Sequence, residues 1–162
     1  MKANTQVVEH LQLLLNNELM ARDQYLAHAS ILKDWGLDAI AERMFHESEE
    51  EGEHAQALID RMLFLEVTPN MNSASPTRVG STIVEMFEFD LVVEREVAAL
   101  LKQAISVCET SADYVTREIL VKLLDDTEMD HMYWLEQQLR LIKMVGLANF
   151  IQSQMTAKPA AE

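Results

Sequence analysis

The chain has 162 residues, about half of them apolar, one cysteine and a formal net charge of -14. A single domain of that length can bury a real core, and the charge excludes nucleic-acid binding driven by phosphate attraction while suiting the capture of cations. The lone cysteine, Cys108, excludes an internal disulfide framework and any cysteine-built zinc or iron–sulfur centre within one chain, and fits a reducing, cytoplasmic setting.

Glu9 and His10 interrupt the first apolar run before it reaches signal-peptide length, and no stretch approaches the roughly 18 apolar residues of a membrane span, so no membrane association is expected. Helical periodicity runs through almost the whole chain, and strand alternation is missing. The first helix is predicted from about Thr5 to about Trp35, with Gly36 as its stop and Leu11, Leu14, Glu18, Tyr25, Ala29 and Leu32 along one face. The second should start at Asp38 as N-cap and run to about Glu66. Its face reads Ile40, Met44, Glu47, Glu51, His54, Leu58, Met62, Leu65. Residues 67–81 hold Pro69, Pro76, Gly80 and several Asn and Ser, and read as an irregular connection. Thr82 and Glu85 have capping-box spacing and open a third helix reaching about Glu109, with Ile83, Phe87, Asp90, Glu94, Val97, Leu101, Ile105 and Cys108 on one face. A fourth, about Tyr114 to Lys143, aligns Val121, Leu124, Glu128, His131, Leu135, Leu139 and Ile142. Gly146 then precedes a short apolar segment, Leu147 to Ile151, expected to pack against neighbouring subunits, and a polar tail at 157–162.

Short links make helices one and two, and three and four, antiparallel hairpins, while the long middle connection can cross the whole bundle and leave helices two and three parallel. The expected fold is all-α, a four-helix bundle with one long crossover and a short fifth helix. Each hairpin repeats one pattern: Glu18 is followed 33 residues later by Glu51-x-x-His54, and Glu94 is followed 34 residues later by Glu128-x-x-His131. Four carboxylates on apolar faces would repel one another and resist desolvation; two divalent cations neutralise all four, and no Arg or Lys occupies these faces at that height. The mixed oxygen and nitrogen donor set suits iron or manganese.

Asn17-Glu18-Leu19, Asp23-Gln24-Tyr25, Trp35-Gly36-Leu37, His46-Glu47-Ser48, Leu63-Phe64-Leu65-Glu66, Asp113-Tyr114-Val115 and Trp134-Leu135-Glu136 together resemble the bacterioferritins, members of the ferritin-like di-iron family, over roughly residues 1–156. The resemblance implies one ferritin-like domain over 1–156 that binds two Fe per subunit. Glu18 and His54 would hold one iron, Glu94 and His131 the other, and Glu51 and Glu128 would bridge them. It also implies oxidation of Fe(II) by O2 or H2O2, iron storage in a 24-subunit shell, and a ferredoxin-type reductant for iron release. The family's haem-ligating methionine is matched by Gly52, which offers no ligand. Haem b is therefore expected only through a second, haem-bearing bacterioferritin subunit that brings the Met. Relative to the commoner family pattern, the fourth helix holds one more residue before Glu128.

Tyr25 shares the face of Glu18 and is a candidate to hydrogen-bond a bridging carboxylate or donate an electron. Asp90 and Glu47 are candidates to support the histidines from one turn away. His46 and Glu50 could form an inner-surface iron site. Two other classes remain open: a di-metal oxidoreductase without storage, such as a manganese catalase or peroxide reductase, and a non-catalytic acidic bundle.

Overall fold

The computed structural model describes residues 4–155, so the polar tail at 157–162 lies outside the described residues. Its helices are α1 (Thr5–Asp34), α2 (Asp38–Phe64), α3 (Ile83–Thr110), α4 (Tyr114–Asp126), α5 (Tyr133–Val145) and α6 (Leu147–Gln154), with a π-helical turn, Thr127–Met132, joining α4 to α5 into one long fourth rod. Among the described residues there is no strand, and no helix is long and apolar enough to cross a membrane.

Local chemistry fixes the ends. The Asn4 side chain accepts from the backbone N–H groups of Gln6 and Val7 and caps α1. Gly36, at φ 79°, takes the left-handed conformation that ends α1 and turns the chain into α2. Asp38 proves to be the first residue of α2; its N-cap is Leu37, which makes no side-chain cap. Thr82 caps α3 by accepting from the Glu85 N–H, and the Glu85 carboxylate reaches back to the Ser81 N–H at 2.8 Å. Asp113 caps α4 by accepting from the Thr116 N–H and also pairs with Arg61 at 2.9 Å.

The buried apolar side chains form two clusters, and their membership gives the topology. One contains Leu11, Leu14, Leu58, Met62, Leu101 and Leu120; the other contains Leu32, Ile40, Met44, Phe87, Leu135 and Phe150. Helix α1 thus runs from the first cluster to the second, α2 and α3 both run from the second to the first, and the fourth rod returns. Helices α2 and α3 are parallel, and the connection between them must travel the length of the bundle. It does so along α1: Gln12 donates to the Asn70 carbonyl at 2.7 Å, the Ala74 N–H donates to the Asn16 carbonyl at 2.9 Å, the Arg78 N–H to Gln24 Oε1 at 2.9 Å, and the Gly80 N–H to His28 Nε2 at 3.0 Å.

Two details differ from the expectation. In α4 the buried residues are Thr116, Leu120 and Leu123, whereas Val121 is 40% exposed. The π-turn takes in more residues per turn than α-helix, so the buried face lies one position earlier before the turn and regains the expected register at His131 after it. In α6, Phe150 is fully buried against Phe87 of its own chain, with ring centroids 6.2 Å apart, so the segment's main apolar anchor is used within the subunit and not held for a neighbour.

Cys108 lies in the first cluster, and burial, reinforced by Asp113, pushes its thiol up to about 11. Its thiolate is scarce at neutral pH, so the folded protein should resist iodoacetamide for hours and react fully only in denaturant. Rapid alkylation of the native protein, read by mass spectrometry, would contradict this packing.

Candidate metal centre

The two apolar clusters are separated by a polar layer supplied by all four rods. Glu18 comes from α1, Glu51 and His54 from α2, Glu94 from α3 and His131 from the π-turn, and each is at least nine-tenths buried. An i, i+3 spacing puts Glu51 and His54 on one helical face, where His54 Nδ1 lies 3.2 Å from Glu51 Oε2. The other oxygen of the same carboxylate, Oε1, lies 3.0 Å from His131 Nδ1. Glu51 therefore sits between the two imidazoles, which stack with centroids 5.6 Å apart. Glu94 Oε1 is 3.3 Å from His131 Nδ1, and Glu18 Oε1 is 4.0 Å from His54 Nδ1. Two compact triads result, Glu18–Glu51–His54 and Glu51–Glu94–His131, with Glu51 common to both.

Neither oxygen of Glu18 has a hydrogen-bond partner. Burial, with the Glu51 charge beside it, holds this carboxyl well above the usual range. Burial and the charge of Glu94 raise Glu51 in the same sense. For His131 burial works in the opposite direction, but the charge of Glu94 and the bonds to Glu47, Glu51 and Glu94 prevail and the imidazole is raised. Such a layer is costly for the bare chain and fits two cations facing one shared carboxylate. Glu18→Met, which removes a buried carboxylate without a hydrogen-bond partner at similar volume, should stabilise the metal-free chain by about 1–2 kcal/mol and raise its Tm by roughly 2–8 °C. A fall in Tm would mean that Glu18 has a partner in solution.

Glu128 is not brought into this layer. Its side chain is 37% exposed and pairs with Lys102 of α3. The π-turn is the reason: with i→i+5 bonding, Glu128 and His131 no longer share a face as Glu51 and His54 do. Tyr25 is fully buried and its hydroxyl donates to Glu94, a carboxylate expected to hold one metal rather than to bridge. Burial and the charges of Glu94 and Asp90 raise this phenol above its ordinary value. Asp90 accepts from Gln24 at 2.8 Å and from His28 Nδ1 at 2.9 Å, so it supports the crossover and neither histidine of the triads.

Glu47 is fully buried, 2.9 Å from His131 Nε2, and is also held by the Arg43 guanidinium. Arg43 thus supplies a cation at the edge of the layer, contrary to the reading of the sequence; its position four residues before Glu47 was the available signal. The same guanidinium pairs with Asp130 at 2.7 Å and lies over the Trp134 ring at 5.2 Å. Glu50 approaches His131 Nε2 at 3.1 Å, so Glu47, Glu50 and His131 make a third donor group. His46 lies 3.4 Å from Glu50 and is half exposed. At the opposite flank Asp126 comes within 3.4 Å of His54 Nε2.

Residues 8–145 match the family described as Ferritin-like domain. The chain is similar to a bacterial ferritin of Synechocystis, 50% identical over 156 residues that cover 96% of this chain and all of the relative. It is 48% identical to a bacterial ferritin of Pseudomonas aeruginosa over 155 residues, again all of that protein. A bacterioferritin of Brucella melitensis is 38% identical over 162 residues, covering this whole chain and 99% of the relative. Bundle topology, the shared-carboxylate layer and these full-length similarities agree that the chain belongs to the ferritin-like family.

Proposed function

We propose that this chain is an iron-storage subunit that oxidises Fe(II), its substrate, at the paired triads and passes Fe(III) to a mineral held inside an oligomeric shell. The observation carrying this reading is the position of Glu51, with one oxygen directed to each histidine and a further carboxylate, Glu18 or Glu94, completing each triad. Two Fe(II) ions held side by side can together give two electrons to one O2 or H2O2, which is the chemistry the paired positions supply.

The protein's own residues have separable roles. Glu18 and His54 hold one position, Glu94 and His131 the other, and Glu51 sets the spacing between them. Tyr25 orients Glu94 through its hydroxyl and stands close enough to that carboxylate to act as a local electron donor. Glu50 hydrogen-bonds His131 Nε2 and orients that imidazole, while Glu47, held by Arg43, places its charge beside the same nitrogen. Glu128, the remaining carboxylate of the repeated pattern, would complete the set by leaving Lys102. His46 and Glu50, adjacent to His131 and partly exposed, form the step at which Fe(III) leaves for the interior. A 24-subunit shell, a cytoplasmic location and a ferredoxin-type reductant belong to the same reading.

Haem b does not fit this chain alone. Gly52 supplies no donor, Met44 is fully buried in the core, and the surface beside Gly52 carries the Arg22–Asp23 ion pair. Haem binding would need a partner subunit bringing a methionine.

Aerobic Fe(II) titration of the purified assembly tests the proposal. Uptake should continue far past two irons per chain in a large particle, with no Soret band, and Glu18→Ala should slow oxidation by at least about tenfold with the particle intact. Saturation at two metals per chain in a small oligomer would instead favour a di-metal oxidoreductase, and normal oxidation by Glu18→Ala would remove Glu18 from the site.

A further inference from the structure

His131 enters the polar layer from the π-turn, and the register of that turn sets the direction of its ring. Turns of this kind are rare and sit singly between stretches of α-helix, so contacts from outside the rod decide whether one is kept. Arg43 of α2 supplies such contacts on both sides of His131. Its Nη2 donates to Asp130 Oδ1 at 2.7 Å, one residue before the histidine. Its guanidinium lies 5.2 Å from the centroid of the Trp134 ring, three residues after it. Trp134 is fixed in turn by an edge-to-face contact with Phe87 of α3, with centroids 5.6 Å apart. The guanidinium also donates through Nε to the buried Glu47, four residues along its own helix, which anchors it to α2. The Asp130 pair alone, half exposed, would hold little. Together the three contacts form a grip in which a planar fork donates along two edges while its face lies on a ring, an arrangement that the ammonium of a lysine does not reproduce.

We propose that Arg43 is a positioning residue for the metal position served by His131, holding the π-turn in the register that aims Nδ1 at Glu51 and Glu94. The inference rests on the metal-centre reading above and extends it to a cation outside the donor set. Its expected effect is opposite in sign to plain electrostatics. A cation beside the layer repels a metal ion, so its removal should by charge alone tighten binding. Removal of a positioning residue should weaken it. The other position is spared, because Glu18, Glu51 and His54 come from α1 and α2 and none belongs to the π-turn.

Co(II) titration of the purified protein, followed by its visible ligand-field absorption, tests this without turnover. Wild-type protein should bind two Co(II) per chain. Arg43→Met should weaken one of the two steps by about tenfold, the low end for losing support behind a metal-bound histidine, and leave the other within about twofold. Arg43→Lys keeps the charge without the grip; it should weaken the same step by about threefold or more, and it decides alone if Arg43→Met does not fold. His131→Ala should abolish that step, and the step that remains should be indifferent to Arg43→Lys. Tighter or unchanged binding in Arg43→Met, wild-type affinity in Arg43→Lys, or equal losses at both steps would overturn the role of Arg43. A wild-type protein that takes up no Co(II), or whose uptake is indifferent to Glu51→Gln, would overturn the metal centre itself, a separate failure.

Discussion

Glu51→Gln is expected to weaken metal binding at both positions together, by at least about 100-fold each, while changing the metal-free Tm by no more than a few degrees. Glu51 is the only residue common to both triads, with its two oxygens 3.2 Å and 3.0 Å from His54 and His131. Losing a group that merely orients a metal ligand costs roughly 10–100-fold, so losing a ligand shared by two metals should cost more, and at both. Glutamine keeps the volume and one acceptor oxygen, which protects the packing. It also removes a buried charge from a layer where burial and Glu94 already disfavour it. The comparison that matters is with Glu18→Gln, which should affect one position and spare the other. Co(II) titration of the two variants separates these outcomes; loss of a single step in Glu51→Gln would mean that the carboxylate does not bridge.

The bundle and most of this layer are legible in the sequence because a long amphipathic helix reports its own inward face. Ile40, Met44, Leu58 and Met62 fix the face of α2, and Glu47, Glu51 and His54 lie on it whatever their chemistry. The same argument works for Glu18 and Glu94. It fails at Glu128 because it assumes one uniform period, and the π-turn breaks that period within the motif. Val121 and Leu124 misled in the same way, being apolar residues near the edge of the true face. Arg43 was missed for a different reason: its Cα lies off the core face while its long side chain reaches Glu47. His28 had no visible partner in sequence, since Asp90 meets it from α3 and Gly80 from the crossover.

The crossover carries the largest expected loss of stability from a single small substitution, Gly80→Ala. A Cβ at Gly80 would lie 2.6 Å from Met86 N and 2.9 Å from Met86 Cα, backbone atoms in the first turn of α3 that cannot yield without moving the helix start. The Gly80 N–H donates to His28 Nε2, which leaves the imidazole proton on Nδ1 for Asp90; the second Asp90 oxygen accepts from Gln24, and Gln24 accepts from the Arg78 N–H. Displacing Gly80 therefore opens a chain of buried polar bonds as well as a steric overlap. Overpacking costs about 1–3 kcal/mol and a buried unsatisfied group about 1–3 kcal/mol. The sum should lower the Tm by roughly 4–24 °C in a chain of this size. Gly52→Ala is the informative contrast. There a Cβ would meet only Arg22 Cδ at 3.9 Å, and alanine inside a helix is favoured by about 1 kcal/mol over glycine. In dissociated subunits Gly52→Ala should therefore be neutral or stabilising, and thermal unfolding of the two variants should shift in opposite directions. A Gly80→Ala protein that unfolds at the wild-type temperature would show that the crossover is free to move at this point, and that the His28–Asp90 pair does not depend on it.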